Sequence, residues 1–418
     1  MDNHVFYEIG DGDIVYSFQD LLTKYEGNST TYQRNIMDYQ IQALAGTIAD
    51  ESYANINNQY LDVLQKISEL KVAKEKLNSY MDYLLAEEEA VSSTSADDMT
   101  ADSVAPGKDY ASLIAEINTQ IAAIDAQLSQ YMNTRSSLAT SVAESKLQAD
   151  VADFYSDYQS LITKEAQSRL KNDFMKNCYS LIIYKEQLDY NNSYQDYLDF
   201  VVEVDTIKFK FGLTTQITLD ADSNSVLQNE ITIIENQNTY DAVVSLIRSS
   251  TAITDNAKIR INLNNIKKQY NMEATINQFI NSNSSYYQIQ NYIRSYQNYL
   301  SSVGTASYTS YRQAELRIKN YQLQKEELED NIRAYVKRAI KSYDIASQSR
   351  EVTWNELQVK IKSYNATKTK LEYKRASRIQ LQQALYEKEA AEVKYYQSCY
   401  QIIVWQDILD NNIYGVTP

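Results

Sequence analysis

Two prolines in 418 residues, Pro106 and Pro418, constrain this chain more than any motif it carries. Glycine is almost as scarce: Gly212 stands alone between Gly107 and Gly304. A chain with so few turn-forming residues must be built from long elements. Strands rarely exceed about ten residues, so the long elements are helices. The fold class that follows is all-α, with long antiparallel helical hairpins and coiled coils.

The hydrophobic spacing marks where those helices pair. Val63, Ile67, Leu70, Lys74, Leu77, Met81 and Leu84 step by alternating four and three, a coiled-coil seam with one polar break. A second seam runs through Tyr110, Ile114, Ile117, Ile121, Ile124, Leu128, Tyr131, Leu138 and Val142. The stretch between them, EEEAVSSTSADDMTADSVAPGKD, is acidic, rich in Ser, Thr and Ala, and reads as a loop over about 92–109. Two seams flanking one loop predict an antiparallel helical hairpin. Its second arm carries no breaker before Phe211. An unbroken helix of about a hundred residues would be ~150 Å long, too long for a globular domain. Beyond Gly212 a helix is predicted from near Leu219 to about Ser250, then a polar linker, SSTAITDNAKIRINLN. A turn at about 302–309 separates a short helix from one running to about Lys374, and a last helix ends near Asn411.

Composition narrows the function. The net charge of −15 argues against nucleic acid as a partner, which requires clustered Lys and Arg. The 37 tyrosines suit half-buried positions between thin helices, where the ring packs and the hydroxyl reaches water or a partner. Cys178 and Cys399 lack metal-ligand spacing, and the single histidine, His4, leaves no imidazole for a triad or a zinc site. Neither a phosphate-binding loop nor a nucleophile–base arrangement is present, so no enzyme, cofactor or metal site is expected. No apolar run approaches the ~18 residues that span a bilayer as a helix. Met1-Asp2-Asn3-His4 is no signal-peptide start, which leaves a cytosolic protein or one whose signal peptide was removed.

The chain reads as an internal duplication, with repeats at 1–250 and 251–418. The entry DLLTKYEGNSTTYQ matches TINQFINSNSSYYQ, pairing Asn28 with Asn283, Ser29 with Ser284 and Tyr32 with Tyr287. Phe211-Gly212-Leu213-Thr214-Thr215-Gln216-Ile217-Thr218-Leu219 likewise matches Tyr373-Lys374-Arg375-Ala376-Ser377-Arg378-Ile379-Gln380-Leu381. These are the predicted hairpin tips, at about 210–218 and about 373–380.

With those segments in hand, the sequence resembles the TolC-type outer-membrane efflux proteins over nearly its whole length. In that family each repeat opens with a helix ending in an Asn-Pro-like corner, here with Ser29 and Ser284 where proline is usual. The tip pattern Y-x-x-G-x-x-[ST] is met by Gly212 and Thr215 in one copy. In the other Ser377 fits while Lys374 replaces the glycine. The resemblance implies a trimer closing six hairpins into an α-barrel, with short pieces near 14–27, 231–250, 256–281 and 386–412 forming a belt. It also implies a homotrimeric export duct of a tripartite pump, docking an adaptor protein by its tips and, through it, an inner-membrane transporter. One departure is plain: neither internal loop can supply the two ten-residue strands that each repeat of the family's membrane β-barrel needs. The likeness is therefore to the helical tube, in an extracytoplasmic envelope, without outer-membrane insertion.

The tip residues Gly212, Leu213, Thr214, Thr215, Ser377 and Arg378 are the expected docking set. Asp220, Asp222, Lys374 and Arg375 are candidate charges at an aperture, where rings of acid select cations or pair with Arg. The competing readings are ordinary helix caps and acids that complement a helix dipole. An extracytoplasmic coiled-coil stalk without a lumen is the alternative function.

Overall fold

The computed structural model describes residues 6–10, 12–93, 109–254, 257–263, 267–303 and 308–418. Among these the order is β1 (Phe6–Ile9), β2 (Val15–Ser17), α1 (Phe18–Asn28), α2 (Thr30–Ser93), α3 (Tyr110–Ala152), α4 (Phe154–Asp157) and α5 (Gln159–Lys210). There follow α6 (Gln216–Thr251), β3 (Lys258–Asn262), α7 (Met272–Asn281), α8 (Ser284–Val303), α9 (Tyr308–Glu372) and α10 (Arg378–Asp410). The all-α reading holds, with one small sheet added. The loop expected at about 92–109 and the turn at about 302–309 fall mainly on 94–108 and 304–307, outside the described residues.

The chain condenses into two compact units: Met1–Gln40 with Tyr158–Tyr287 and Lys325–Pro418, and Ile41–Asp157 with Gln288–Gln324. Each draws on both sequence repeats, so the units and the repeats partition the chain differently.

In the second unit the two predicted seams meet. Val63, Ile67, Leu84 and Ile117 are buried, and the other seam positions are half-buried. Cross-contacts fix the pairing: Tyr53 with Lys146, Lys66 with Tyr131, Lys74 with Asp125, and Glu87 with Tyr110. Residue numbers fall on α3 as they rise on α2, so the helices are antiparallel. The polar break is satisfied in place, because Lys74 Nζ donates to Asp125 Oδ2 at 2.7 Å. An exposed pair of this kind contributes ~0–1 kcal/mol, and its value here is register.

The long second arm is not one helix. It breaks between Ala152 and Gln159, with α4 as a single turn in the gap. The break sits opposite Gly46 of α2, where an added Cβ would lie 2.8 Å from Asp153 Oδ1 and 3.4 Å from its Cα. The helices close in at a residue without a side chain, and α3 ends there.

The first unit holds the main core. Leu21 and Tyr25 of α1, Phe174, Cys178, Leu181 and Ile182 of α5, Ile247 of α6, Ile276 and Phe279 of α7, Tyr343 of α9, and Val404 and Ile408 of α10 are buried together. Segments expected to form a belt thus share one apolar centre, although 231–250 and 386–412 are continuations of α6 and α10 rather than separate pieces. Cys178 and Cys399 are both free thiols in this core, and burial pushes each thiol up from its ordinary pKa. Tyrosines close its edges: the Tyr335 hydroxyl reaches the carbonyl oxygens of Ile413 and Val416 at 3.0 and 2.5 Å.

The polar linker expected at 249–264 contains a strand. β3 lies at the centre of a three-stranded sheet, antiparallel to β1 (Tyr7 opposite Ile261, Ile9 opposite Ile259) and parallel to β2. Ile259 and Ile261 point into the core, whereas Arg260 pairs with Glu8 on the other face. From β1, Tyr7 docks against Tyr396 of α10 at 5.6 Å between ring centroids and hydrogen-bonds to Glu186 of α5. Burial is the main force that lifts the Glu186 carboxyl to about 7, and the acids Glu392 and Asp189 add to it.

Helix entries are capped as their sequences require. Ser17 and Asp20 form a reciprocal capping box on α1. At the corners between repeat-opening helices and long helices, Ser29 accepts from Tyr32 N at 3.3 Å and Asn283 Oδ1 from Tyr286 N at 3.0 Å. The equivalent caps are therefore Ser29 and Asn283, one residue off the pairing read from sequence. Each holds the N–H of the third residue of the next helix, one of the orphan donors at a helix start.

Candidate functional site

The two tips are the turns between α5 and α6 and between α9 and α10, both in the first unit. Their backbones are the same. In the first, Leu213 N donates to Lys208 O at 2.8 Å and Gly212 N to Phe209 O at 2.9 Å. In the second, Arg375 N donates to Lys370 O at 2.7 Å and Lys374 N to Leu371 O at 2.9 Å. These paired bonds, spanning six and four residues, are the Schellman arrangement that closes a helix C-terminus. It needs a left-handed residue at its centre, and Gly212 (φ 68°) and Lys374 (φ 57°) occupy that place.

The next helix starts alike in both. Thr215 Oγ1 accepts from Thr218 N at 3.3 Å, and Ser377 Oγ accepts from Gln380 N at 3.3 Å. Gln380 returns the bond by accepting from Ser377 N at 2.8 Å, a full capping box. The matched tip sequences thus encode one turn twice.

A consequence can be measured at each centre. A Cβ at Gly212 would meet nothing within 4 Å, so Gly212→Ala carries only the left-handed strain of a non-glycine residue, about 1 kcal/mol. Lys374→Gly is expected to relieve a similar amount. Hydrogen exchange of the tip amides should quicken about fivefold in the first variant and slow in the second. Equal rates in all three proteins would show that the turns are not under this control.

Backbone identity contrasts with side-chain chemistry. Around the first tip, Phe211, Leu213 and Ile217 are 76, 75 and 81 % exposed. The second presents Tyr373 and the cations Lys374, Arg375 and Arg378, all exposed and without an ion pair among the described residues. Thr214 is half-buried, while Thr215 and Ser377 are the helix caps. Phe211, Ile217 and Tyr373 were absent from the sequence-derived set. Their signal was available, since an aromatic residue precedes the left-handed position in both copies.

The two candidate acids separate. Asp220 is exposed and accepts from Gln216 Nε2 at 2.7 Å. Asp222 instead faces Asp205 across the α5–α6 hairpin. Lys208 Nζ, 2.6 Å from Asp205, holds that carboxylate below its ordinary pKa, while burial first, then the interaction with the Asp205 carboxyl and its charge, raise Asp222. The Asp222 Oδ2 is buried and accepts no hydrogen bond. The opposite directions of the two shifts fit a proton shared between the carboxyls. Asp222 therefore joins the arms of the first hairpin.

The first hairpin is also the longer. Gln382 Nε2 of α10 reaches Asp196 Oδ2 of α5 at 3.4 Å, and α10 runs antiparallel to α5. The start of α10 thus lies near residue 200, and the first tip projects about ten residues, ~15 Å, further.

No helix among the described residues is long and apolar enough to cross a membrane. No protein-family model and no curated protein matches the sequence. Among solved structures, the chain is similar to the outer membrane protein VceC of Vibrio cholerae: 8 % identity, 66 % of this chain, 74 % of that one, TM-score 0.45. It is also similar to the open MtrE outer membrane channel of Neisseria gonorrhoeae (7 %, 66 and 72 %, TM-score 0.39) and the Campylobacter jejuni CmeC outer membrane channel (10 %, 68 and 68 %, TM-score 0.38).

Proposed function

We propose that this chain is one third of a helical export duct in the cell envelope, docking an adaptor protein through its two tips. The observation that carries the reading is a set of apolar stripes left exposed by the described residues. On α2, Ile41, Leu44 and Ile48 are 65, 61 and 66 % exposed, at the three-and-four spacing of a helix seam. Leu227, Ile231 and Ile234 repeat that spacing on α6, and Leu316 and Leu323, then Ile345, Val352 and Val359, sit seven apart on α9. Single exposed apolar residues are ordinary, whereas ordered stripes on three helices call for neighbouring helices. Side-by-side copies supply them, and closure into a ring avoids an open fibre.

The tips support the docking half of the reading. Rigid turns repeated at matched positions present exposed aromatic, apolar and cationic groups, the residue types enriched where proteins bind. Gly212, Leu213, Thr214, Thr215, Ser377 and Arg378 form the docking set, joined by Phe211, Ile217 and Tyr373. Asp220, Lys374 and Arg375 stand at the aperture. An inner-membrane transporter drives export behind the adaptor, and another protein anchors the duct.

Mass measurement by light scattering, followed by end-on imaging, tests the assembly. A particle of about three times 48.1 kDa with a central hole is expected. A two-stranded rod would overturn the duct in favour of a coiled-coil stalk.

A further inference from the structure

A cleft of about 590 Å³ opens in the second unit between α3, α8 and α9, with Ala45 of α2 at its edge, far in sequence from either tip. Its volume is that of a site for one small molecule. Leu147 and Val151 of α3 with Tyr155 form one wall, and Tyr292 and Tyr296 of α8 form another. Arg317 of α9 stands at the rim and is exposed.

The walls are held open by their own contacts. Tyr292 stacks on Tyr321 with centroids 4.8 Å apart and planes 14° from parallel. Tyr296 leans on the same ring at 5.9 Å and carries the Arg317 guanidinium over its face at 5.6 Å. Behind them Tyr299 packs with Ala143 and Ala314, closing the floor. Asn291 ties α8 to α3 through the Asp150 carbonyl at 3.0 Å. These contacts hold Tyr292, Tyr296 and Tyr299 in the walls and floor.

We propose that this cleft binds a small amphiphile with a flat aromatic body and an anionic end group. The aromatic walls suit a flat ring system, which gains from offset and edge contacts. Arg317 has no carboxylate partner among the described residues, and its planar guanidinium suits an oxyanion. Glu144 of α3 also lines the cleft and is exposed, so it opposes the same anion. A neighbouring copy is the weaker occupant. The residues that ask for lateral helices, Ile41, Leu44 and Ile48 on α2 and Leu316 and Leu323 on α9, do not line the cleft.

Two dyes with one aromatic body separate body from charge. 8-Anilinonaphthalene-1-sulfonate carries the anion, and N-phenyl-1-naphthylamine lacks it. Titrated by fluorescence against the full chain in its assembled state, the sulfonate should bind once per chain and more tightly than the neutral dye. Arg317→Gln should weaken the sulfonate about fivefold and leave the neutral dye unchanged. Glu144→Gln should tighten the sulfonate about twofold. Ala314→Phe, which fills the floor, should weaken both dyes more than tenfold. Should that variant lose its circular-dichroism signal, the two exposed-residue variants decide. Sulfonate binding indifferent to Arg317 and Glu144 would place the dye on the apolar stripes and overturn the proposal. Failure of the assembled protein to bind either dye would do the same, because a neighbouring copy would then cover the cleft.

Discussion

A chain carrying Ile41→Gln, Leu44→Gln and Ile48→Gln is expected to run as a single 48.1 kDa species, where about three times that mass is expected of the unaltered protein. The substituted side chains are open to solvent, and surface changes away from special features shift stability by about 0.5 kcal/mol or less. Glutamine keeps helix propensity close to leucine, so α2 survives. What the variant loses is the burial gained against a neighbour, about 1.5–3 kcal/mol for each large aliphatic side chain fully covered. Three such losses weaken every interface by more than a thousandfold. Ile67→Gln is the control, because Ile67 is buried in the seam. It should lower the melting temperature instead. An unchanged mass for the triple variant, with the helical signal intact, would remove the stripe from the assembly.

Glu186→Gln should make the protein more stable above pH 7 and leave it equal below pH 5. Burial raises the folded carboxyl to about 7 from 4.5, so between those values the folded state holds a proton that the unfolded chain has released. Its contribution is fully present below the unfolded value and is lost as pH rises through the folded one. A raise of this size corresponds to at most about 3 kcal/mol. Glu186 keeps some contact with solvent, so 1–3 kcal/mol is expected. Glutamine mimics the protonated acid: its amide oxygen still accepts from Tyr7, and no charge has to be buried beside Glu392 and Asp189. Other carboxyls are shifted as well: burial raises Glu389 and Asp407, and the bond from Lys360 lowers Glu387. The difference between variant and parent in urea midpoints across pH 4.5–8.5 isolates Glu186. A difference that stays flat with pH would refute the assignment.

The long helices were legible because their signals are local and repeated. A seam such as Val63–Ile67–Leu70 declares its face within two turns, and Gly212 marks its turn unaided. The sheet was missed for the opposite reason. β3 alternates Ile259 and Ile261 with Lys258 and Arg260, a strand pattern only five residues long. Its partners lie some 240 residues away, so nothing nearby announces them. The helix break at 153–158 was hidden because its cause sits on another helix, at Gly46. At the tips, caps and the left-handed position could be read, but which side chains stay exposed depends on packing that sequence does not display. Asp222 illustrates this, since its role is set by Asp205, seventeen residues earlier on the facing helix.

The central strand also sets an order of events at birth. Its neighbours come from the first seventeen residues, and the core beneath it takes Ile408 from near the end of the chain. The first unit therefore cannot close until the chain is made as far as Ile408. The α2–α3 hairpin needs only contacts between nearby segments and can form early, since loop-closure entropy favours short-range pairing. Synthesis or translocation thus delivers a finished rod attached to an unfinished body. β1 must wait, unpaired, for a partner that arrives some 250 residues later.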